Sequence, residues 1–414
     1  MSTDLRPASA ADLVDWDTAS RLAREATAAG PTATAAARRN TVTRLRRGAA
    51  DAPAWVGRIT GLGAAARRAA ASTEVLVVDR AGLVRAAATG LRDLMAGVPA
   101  APSSPALRAV GAAEVAGALG LLSTRVLGQV LPPAAPSGAE DAGAARGGTR
   151  AAGGGAGSAG RAAQETGATQ EVTGAAQAVA PSGGRVEPVV EARMLLVAPN
   201  VLALQQRLEL DRLDLPVWVA LHEATHVVQL SAAPWLAAHL RAGLTEVVEA
   251  IVATWGGSAG EGGARLGPAE RVARALGLRD GEKGVEGLSQ LLSASERRVL
   301  ARLVTTLSFL EGHAEAVLDA VKPSQMPSVH RLRASLTGSG HQEGGTGPGI
   351  GALLWRLLGA QAKEAQYDDG AAFVRAVVAR VGHEGLNRVW AAPELLPSPE
   401  EIARPEAWVE RMGL

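Results

Sequence analysis

Residues 215–230 read LPVWVALHEATHVVQL, and their reading decides the rest of the chain. Histidines stand at 222 and 226, with Glu223 directly after the first. On a helix, residues four apart share one face, so His222 and His226 can turn two imidazole nitrogens toward one ion. Zinc accepts such nitrogen donors in tetrahedral geometry. Glu223 is rotated off the ligand face, which suits it to take a proton from a water activated by the ion. The surrounding helix is strongly apolar. Burying two histidines and a glutamate in it is costly unless they are paired or hold a metal. The bland alternative is a pair of hydrogen-bonded core histidines on a packed helix.

Composition narrows the field around this motif. The chain has 414 residues, a formal net charge of +1, no cysteine and a single tyrosine. A net charge near zero argues for neither a nucleic-acid partner nor a membrane, and neither is expected. The missing cysteine excludes disulfides, thiolate ligands and cysteine nucleophiles. Lysine occurs only at 283, 322 and 363, and alanine and glycine abound, which reads as a coding bias. The polar start MSTDLRPASAADLVDWD has no apolar core of a secretory signal. The apolar run 107–122 carries Arg108 and Glu114 and does not read as a membrane span. A cytoplasmic location is the expectation, and nothing in the composition fixes an oligomeric state.

Apolar residues recur at helical spacing through DLVDWDTASRLAREA (12–26) and TRLRRGAADAPAWVGRITGL (43–62). A short strand is expected near Val75–Val78, followed by a helix. SPALRAVGAAEVAGALGLLSTRVLGQVL (104–131) reads as one long buried helix, started by Ser104 with Pro105. Residues 132–188 lack aromatics and are dominated by Ala, Gly, Ser and Thr, so a disordered insert is expected there. EARMLLVAPN (191–200) reads as a strand with a turn at Pro199 and Asn200. Gly-rich breaks fall at 256–268 and 337–349, and helical periodicity dominates around them to the C-terminus. The organisation is thus an N-terminal helical part (1–131), the insert (132–188) and a motif-bearing part (189–414). The fold class is mainly α with few short strands.

A zinc site needs a third protein ligand and an open position. SFLEGHAEAVLD (308–319) offers Glu311, Glu315 and Asp319, spaced by four on one helical face. Three acids there with no cation among them would repel one another, and a metal would remove the conflict. Glu311 is the chosen ligand, with Glu315 behind it as hydrogen-bond acceptor for a ligand histidine; the reverse assignment stays open. Gln229, three residues after His226, is a second supporting residue. The developing oxyanion needs a donor. Tyr367, in AKEAQYDDG with Lys363 four residues earlier, and His313 are the candidates; a packed tyrosine is the competing reading. GGTGPGIG (344–351) lacks the Lys-Ser/Thr of a phosphate loop, and RLRRG (44–48) reads as a solvated basic face.

Several of these segments together carry a resemblance. VDWDTASRLA, VGRITGL, VVDRAGLV, LLVAPNV, WVALHEATHVVQLSAAPWL, LEGHAEAVLD, AKEAQYDDGAAFV and VWAAPELLPSPEEIARPEAWVERM occur in the order expected of the zincin-like metallopeptidase type 2 family. That actinobacterial group is also described as hydrolases, or as proteins associated with biosynthesis of the deazaflavin coenzyme. The resemblance covers most of the chain outside the insert. It implies a zincin-like helical fold and a zinc-dependent peptidase acting on a peptide or protein. It assigns the metal to His222 and His226 and the general base to Glu223. It favours Glu311, which matches a Glu-Gly step, as third ligand. Leu230 stands where the family usually has an aromatic, and the insert is unusual for it. The alternative function is a non-catalytic binding or scaffold protein on the same fold, distinguished by a closed metal site.

Overall fold

The computed structural model describes residues 8–131, 192–256, 293–338 and 364–414, without side chains at 251, 253–256, 337–338 and 364–369. The expected disordered insert at 132–188 lies outside the described residues, as do nearly all of the two Gly-rich breaks. Met1–Pro133 and Val189–Leu414 form one compact unit.

Helices dominate, as expected. In order they are α1 (Trp16–Ala26), α2 (Ala35–Thr60), α3 (Gly63–Ser72), α4 (Arg80–Ala96), α5 (Pro105–Ser123), α6 (Ala198–Arg207), α7 (Asp214–Ala232), α8 (Leu236–Gly256), α9 (Ala294–Asp319), α10 (Val329–Gly338) and α11 (Glu364–Leu386). Two short helices, Pro399–Ile402 and Pro405–Arg411, close the chain. Their starts follow local chemistry. Thr34, Asp79, Ser104 and Ser293 each accept a backbone N–H of the first turn, and Ser293 with Glu296 completes a reciprocal cap. Helix α2 ends at Gly61, whose φ of 76° suits a residue without a Cβ.

The strands are β1 (Thr73–Val78), β2 (Gly128–Leu131) and β3 (Ala192–Val197). They form a small mixed sheet in the order β1-β3-β2. β1 pairs parallel to β3, with Val75 opposite Met194; β2 pairs antiparallel to β3, with Gln129 opposite Leu195. Two expectations are corrected here. The run 104–131 is not one helix: α5 stops at Ser123 and the chain re-enters as β2. A continuous apolar run does not by itself distinguish helix from buried strand. Pro199 and Asn200 are not a turn but the first turn of α6, where proline's missing N–H costs nothing. Asn200 is a buried joint instead. It accepts from Arg80 Nε at 2.7 Å and donates to Ser123 O at 2.8 Å and Val126 O at 2.7 Å.

The core is built around α7. Leu215, Val219, Ala220, Leu221, Ala224, Val227 and Val228 are all buried, so this helix is covered on every side. Helix α2 lies close against it because Gly48 presents no side chain; a Cβ there would sit 3.2 Å from Ala220 Cβ. The sheet packs on the same core through Met194 and Leu196. Helices α1, α4 and α5 pack together through Ala19, Ala23, Val84, Ala88, Ala116 and Leu119. Among the described residues α5 is the one helix long and apolar enough to cross a membrane, and a third of its apolar window is buried in the fold. Phe309 of α9, Phe373 of α11, Trp390 and Trp408 form a chain of aromatic contacts with centroids 5.5–6.0 Å apart. That chain fixes α11 and the C-terminus to α9.

Candidate metal centre

His222 and His226 occupy one face of α7, as their spacing requires, and α9 crosses that face. Both ends of the crossing are pinned. At the start of α7, Asp214 Oδ2 accepts from Ser328 N at 2.8 Å and Ser328 Oγ at 2.7 Å, tying the helix to the chain that follows α9. On the far side of α9, Gly312 meets α11 backbone to backbone. A Cβ at 312 would lie 2.5 Å from Ala371 N and would overlap the Gly370 carbonyl. The glycine after Glu311 is therefore a packing requirement.

The crossing brings Glu311 to the two histidines. His222 Nε2 is 3.2 Å from Glu311 Oε2, His226 Nε2 is 3.5 Å from Glu311 Oε1, and the two Nε2 atoms are 3.2 Å apart. Donors bound to one tetrahedral ion at about 2.1 Å stand about 3.4 Å from each other. The observed triangle fits that edge length, and it is largely buried, with Glu311 5% and His222 3% exposed and His226 half-buried. Two imidazoles and a carboxylate are a donor set for a divalent transition metal. His222, His226 and Glu311 are the one group of potential ligands that converges in this way among the described residues.

Electrostatics of the metal-free site follow from burial. Burial alone would push the Glu311 carboxyl up; the His226 charge and hydrogen bonds from both histidines outweigh it and hold the group below its usual range. Burial alone would push His226 down; the Glu311 charge and hydrogen bond outweigh it and hold the imidazolium above its usual range. The site is thus an ion pair that a divalent cation would replace.

Glu223 stands apart from this pair. It is fully buried, and neither carboxylate oxygen has a hydrogen-bond partner among the described residues. Burial raises its carboxyl to about 8, with His226 opposing and Glu311 adding to the shift. The space for its side chain exists because β2 begins with Gly128, where a Cβ would come 2.5 Å from Glu223 Cγ and 2.7 Å from Oε1. Nothing local marks Gly128, because its apolar segment has the pattern of a buried helix as much as of a strand.

The remaining expected site residues are distributed unequally. Gln229 touches the site: Oε1 is 2.9 Å from His226 Nδ1, and Nε2 donates to Leu310 O at 2.9 Å and meets His313 Nδ1 at 3.0 Å. His313 is fully buried behind Gln229 with its ring against Trp390, centroids 5.4 Å apart. Burial, then the charges of His383 and His226, push it down to about 3, so it is neutral. Its Nε2 has no hydrogen-bond partner among the described residues. His313 thus meets the ligand set through Gln229. Glu315 does not stand behind a ligand histidine. It is 42% exposed and pairs with Arg375 at 3.5 Å, and Asp319 pairs with Arg375 at 2.7 Å and Arg333 at 3.6 Å. The cation that the acidic stripe requires is arginine, supplied by α10 and α11. Tyr367 lies on α11 one turn before Gly370, and its side chain is outside the described set.

The model of a family described as zincin-like metallopeptidase matches residues 14–409. A solved structure from Chloroflexus aurantiacus, described as a proposed hydrolase with a novel fold, is similar in fold. It superposes with a TM-score of 0.56 at 22% identity, covering 97% of this chain and 99% of that one. No curated protein matches the chain. With nearly its whole length matched, the chain belongs to the zincin-like metallopeptidase family.

Proposed function

We propose that the protein is a zinc-dependent peptidase in which His222, His226 and Glu311 hold the ion and Glu223 is the general base. The observation that carries this reading is the pairing of a convergent donor triangle with a buried carboxylate that has no hydrogen-bond partner of its own among the described residues. A bound zinc ion would polarise the scissile carbonyl and lower the pKa of the attacking water. Glu223 takes the water's proton at its carboxylate as attack proceeds and passes it to the departing amine nitrogen. Its apolar surroundings raise its carboxyl, and a bound divalent cation would lower it again toward the ionised form that accepts the proton. Glu311 offsets the ion's charge, and the apolar α7 keeps bulk water from the ligands. The substrate is a peptide or protein, cleaved at an amide.

Burial of the ligand set also supports a second reading, a closed, non-catalytic metal site. One experiment separates the two. Metal content is measured by mass spectrometry on the wild type and on His222→Ala, Glu311→Ala and Glu223→Gln variants, each also tested on a peptide library. About one zinc per chain, lost in the first two variants and kept in the third, with cleavage by the wild type alone, supports the peptidase. Zinc without cleavage in any preparation leaves the closed site. Cleavage undiminished in Glu223→Gln overturns the proposed mechanism.

A further inference from the structure

We infer that Gln229 is a positioning residue that fixes which nitrogen of His226 faces the metal and ties that histidine to the backbone carrying Glu311. The inference rests on the metal reading above and adds to it a cause for the ligand geometry.

The argument starts from an atom that leaves no choice. Leu310 O is a carbonyl and can only accept a hydrogen bond. It lies 2.9 Å from the Gln229 amide nitrogen, which therefore faces α9. With the amide reversed, two acceptors would stand at that distance in a site where Gln229 is 1% exposed, and no water would relieve them. The amide oxygen consequently faces His226 Nδ1 at 2.9 Å and requires a proton there. Nδ1 thus carries hydrogen, and Nε2, the atom turned toward Glu311 and His222, is left to bind the ion.

The second amide hydrogen faces His313 Nδ1 at 3.0 Å. An amide nitrogen can only donate, so His313 Nδ1, buried against Trp390, is the acceptor. Both donors and the acceptor of one amide are thus committed, and the side chain has a single orientation. Two of its bonds cross from α7 to α9, and one ends on the residue immediately before Glu311. The same amide therefore orients the second ligand's ring and holds the third ligand's backbone at its distance from that ring. A glutamate at 229 could accept from His226 but could not donate to Leu310 O. A methionine would keep the volume and lose all three bonds.

The test uses the full chain loaded with cadmium-113 for ring-nitrogen NMR and with zinc for affinity by chelator competition. In the wild type, the metal coupling is expected at His226 Nε2, with a slowly exchanging Nδ1 proton. In Gln229→Met, that proton is expected to exchange rapidly and zinc affinity to fall about 10- to 100-fold. A purely structural role would leave the Nδ1 proton protected in any variant that folds. Coupling at Nδ1 in the wild type overturns the inference without need of a variant, as does wild-type zinc affinity in Gln229→Met. A wild type that takes up no metal overturns both this inference and the peptidase reading. Metal uptake without peptide cleavage fails the peptidase reading alone.

Discussion

Gly128 and Glu223 are in contact between the first residue of the edge strand β2 and the centre of the motif helix α7. An added Cβ at 128 would stand 2.5 Å from Glu223 Cγ, 2.6 Å from Cδ and 2.7 Å from Oε1. The carboxylate assigned the proton transfer thus has room only because residue 128 has no side chain.

Gly128→Ala is expected to displace the Glu223 carboxylate while leaving the ligand triangle in place. General-base catalysis contributes about 10²- to 10⁴-fold. Peptide turnover should fall by about 10²-fold or more, with zinc content unchanged. Steady-state kinetics beside metal analysis checks it. Equal turnover in the variant would mean that the contact relaxes without moving the base.

Glu223 also predicts a pH dependence of stability in the metal-free protein. Its folded-state carboxyl lies at about 8, above the value of 4.5 for an unburied glutamate. Between those values the folded state holds a proton that the unfolded state has lost. Stability contributed by this group is therefore full at low pH and declines as pH rises from about 4.5 to about 8. Glu223→Gln removes that decline. Thermal melts of metal-free wild type and variant across this range should diverge, with the variant the more stable at the alkaline end.

Metal affinity should fall on acidification. The Glu311 charge outweighs burial and holds the His226 proton above the imidazole's usual range, and that proton competes with the ion for the ring. Binding at neutral pH should release protons. Calorimetry in buffers of different ionisation enthalpy would detect the release. An affinity independent of pH would exclude His226 as a ligand.

Two helical glycines should respond in opposite directions to alanine. A Cβ at 312 would collide with the Gly370–Ala371 peptide, and backbone cannot swing aside. Overpacking of this kind costs about 1–3 kcal/mol. Because α9 carries Glu311, Gly312→Ala should weaken metal binding as well. At Gly117 in α5, nothing lies within 4 Å of an added Cβ. Gly117→Ala should stabilise by up to about 1 kcal/mol, the helical advantage of alanine. Denaturant titration of both variants checks the contrast.

Local chemistry was written in the sequence. The four-residue spacing of His222 and His226 placed them on one face, since helix geometry is local. The hydroxyl of Ser104 marked a helix start, and the β-branched residues near Val75–Val78 marked a strand. What sequence alone did not resolve involves partners distant along the chain. Glu311 and Glu315 differ on a helix by about 40° and about 6 Å, too little for periodicity to choose between them. Packing of α9 between α7 and α11 buries Glu311 beside the histidines and turns Glu315 to Arg375, 60 residues further on. The strand at 128–131 was hidden because its pairing partner, β3, follows more than 60 residues later. An apolar segment becomes strand or helix according to which hydrogen-bond partners tertiary packing supplies.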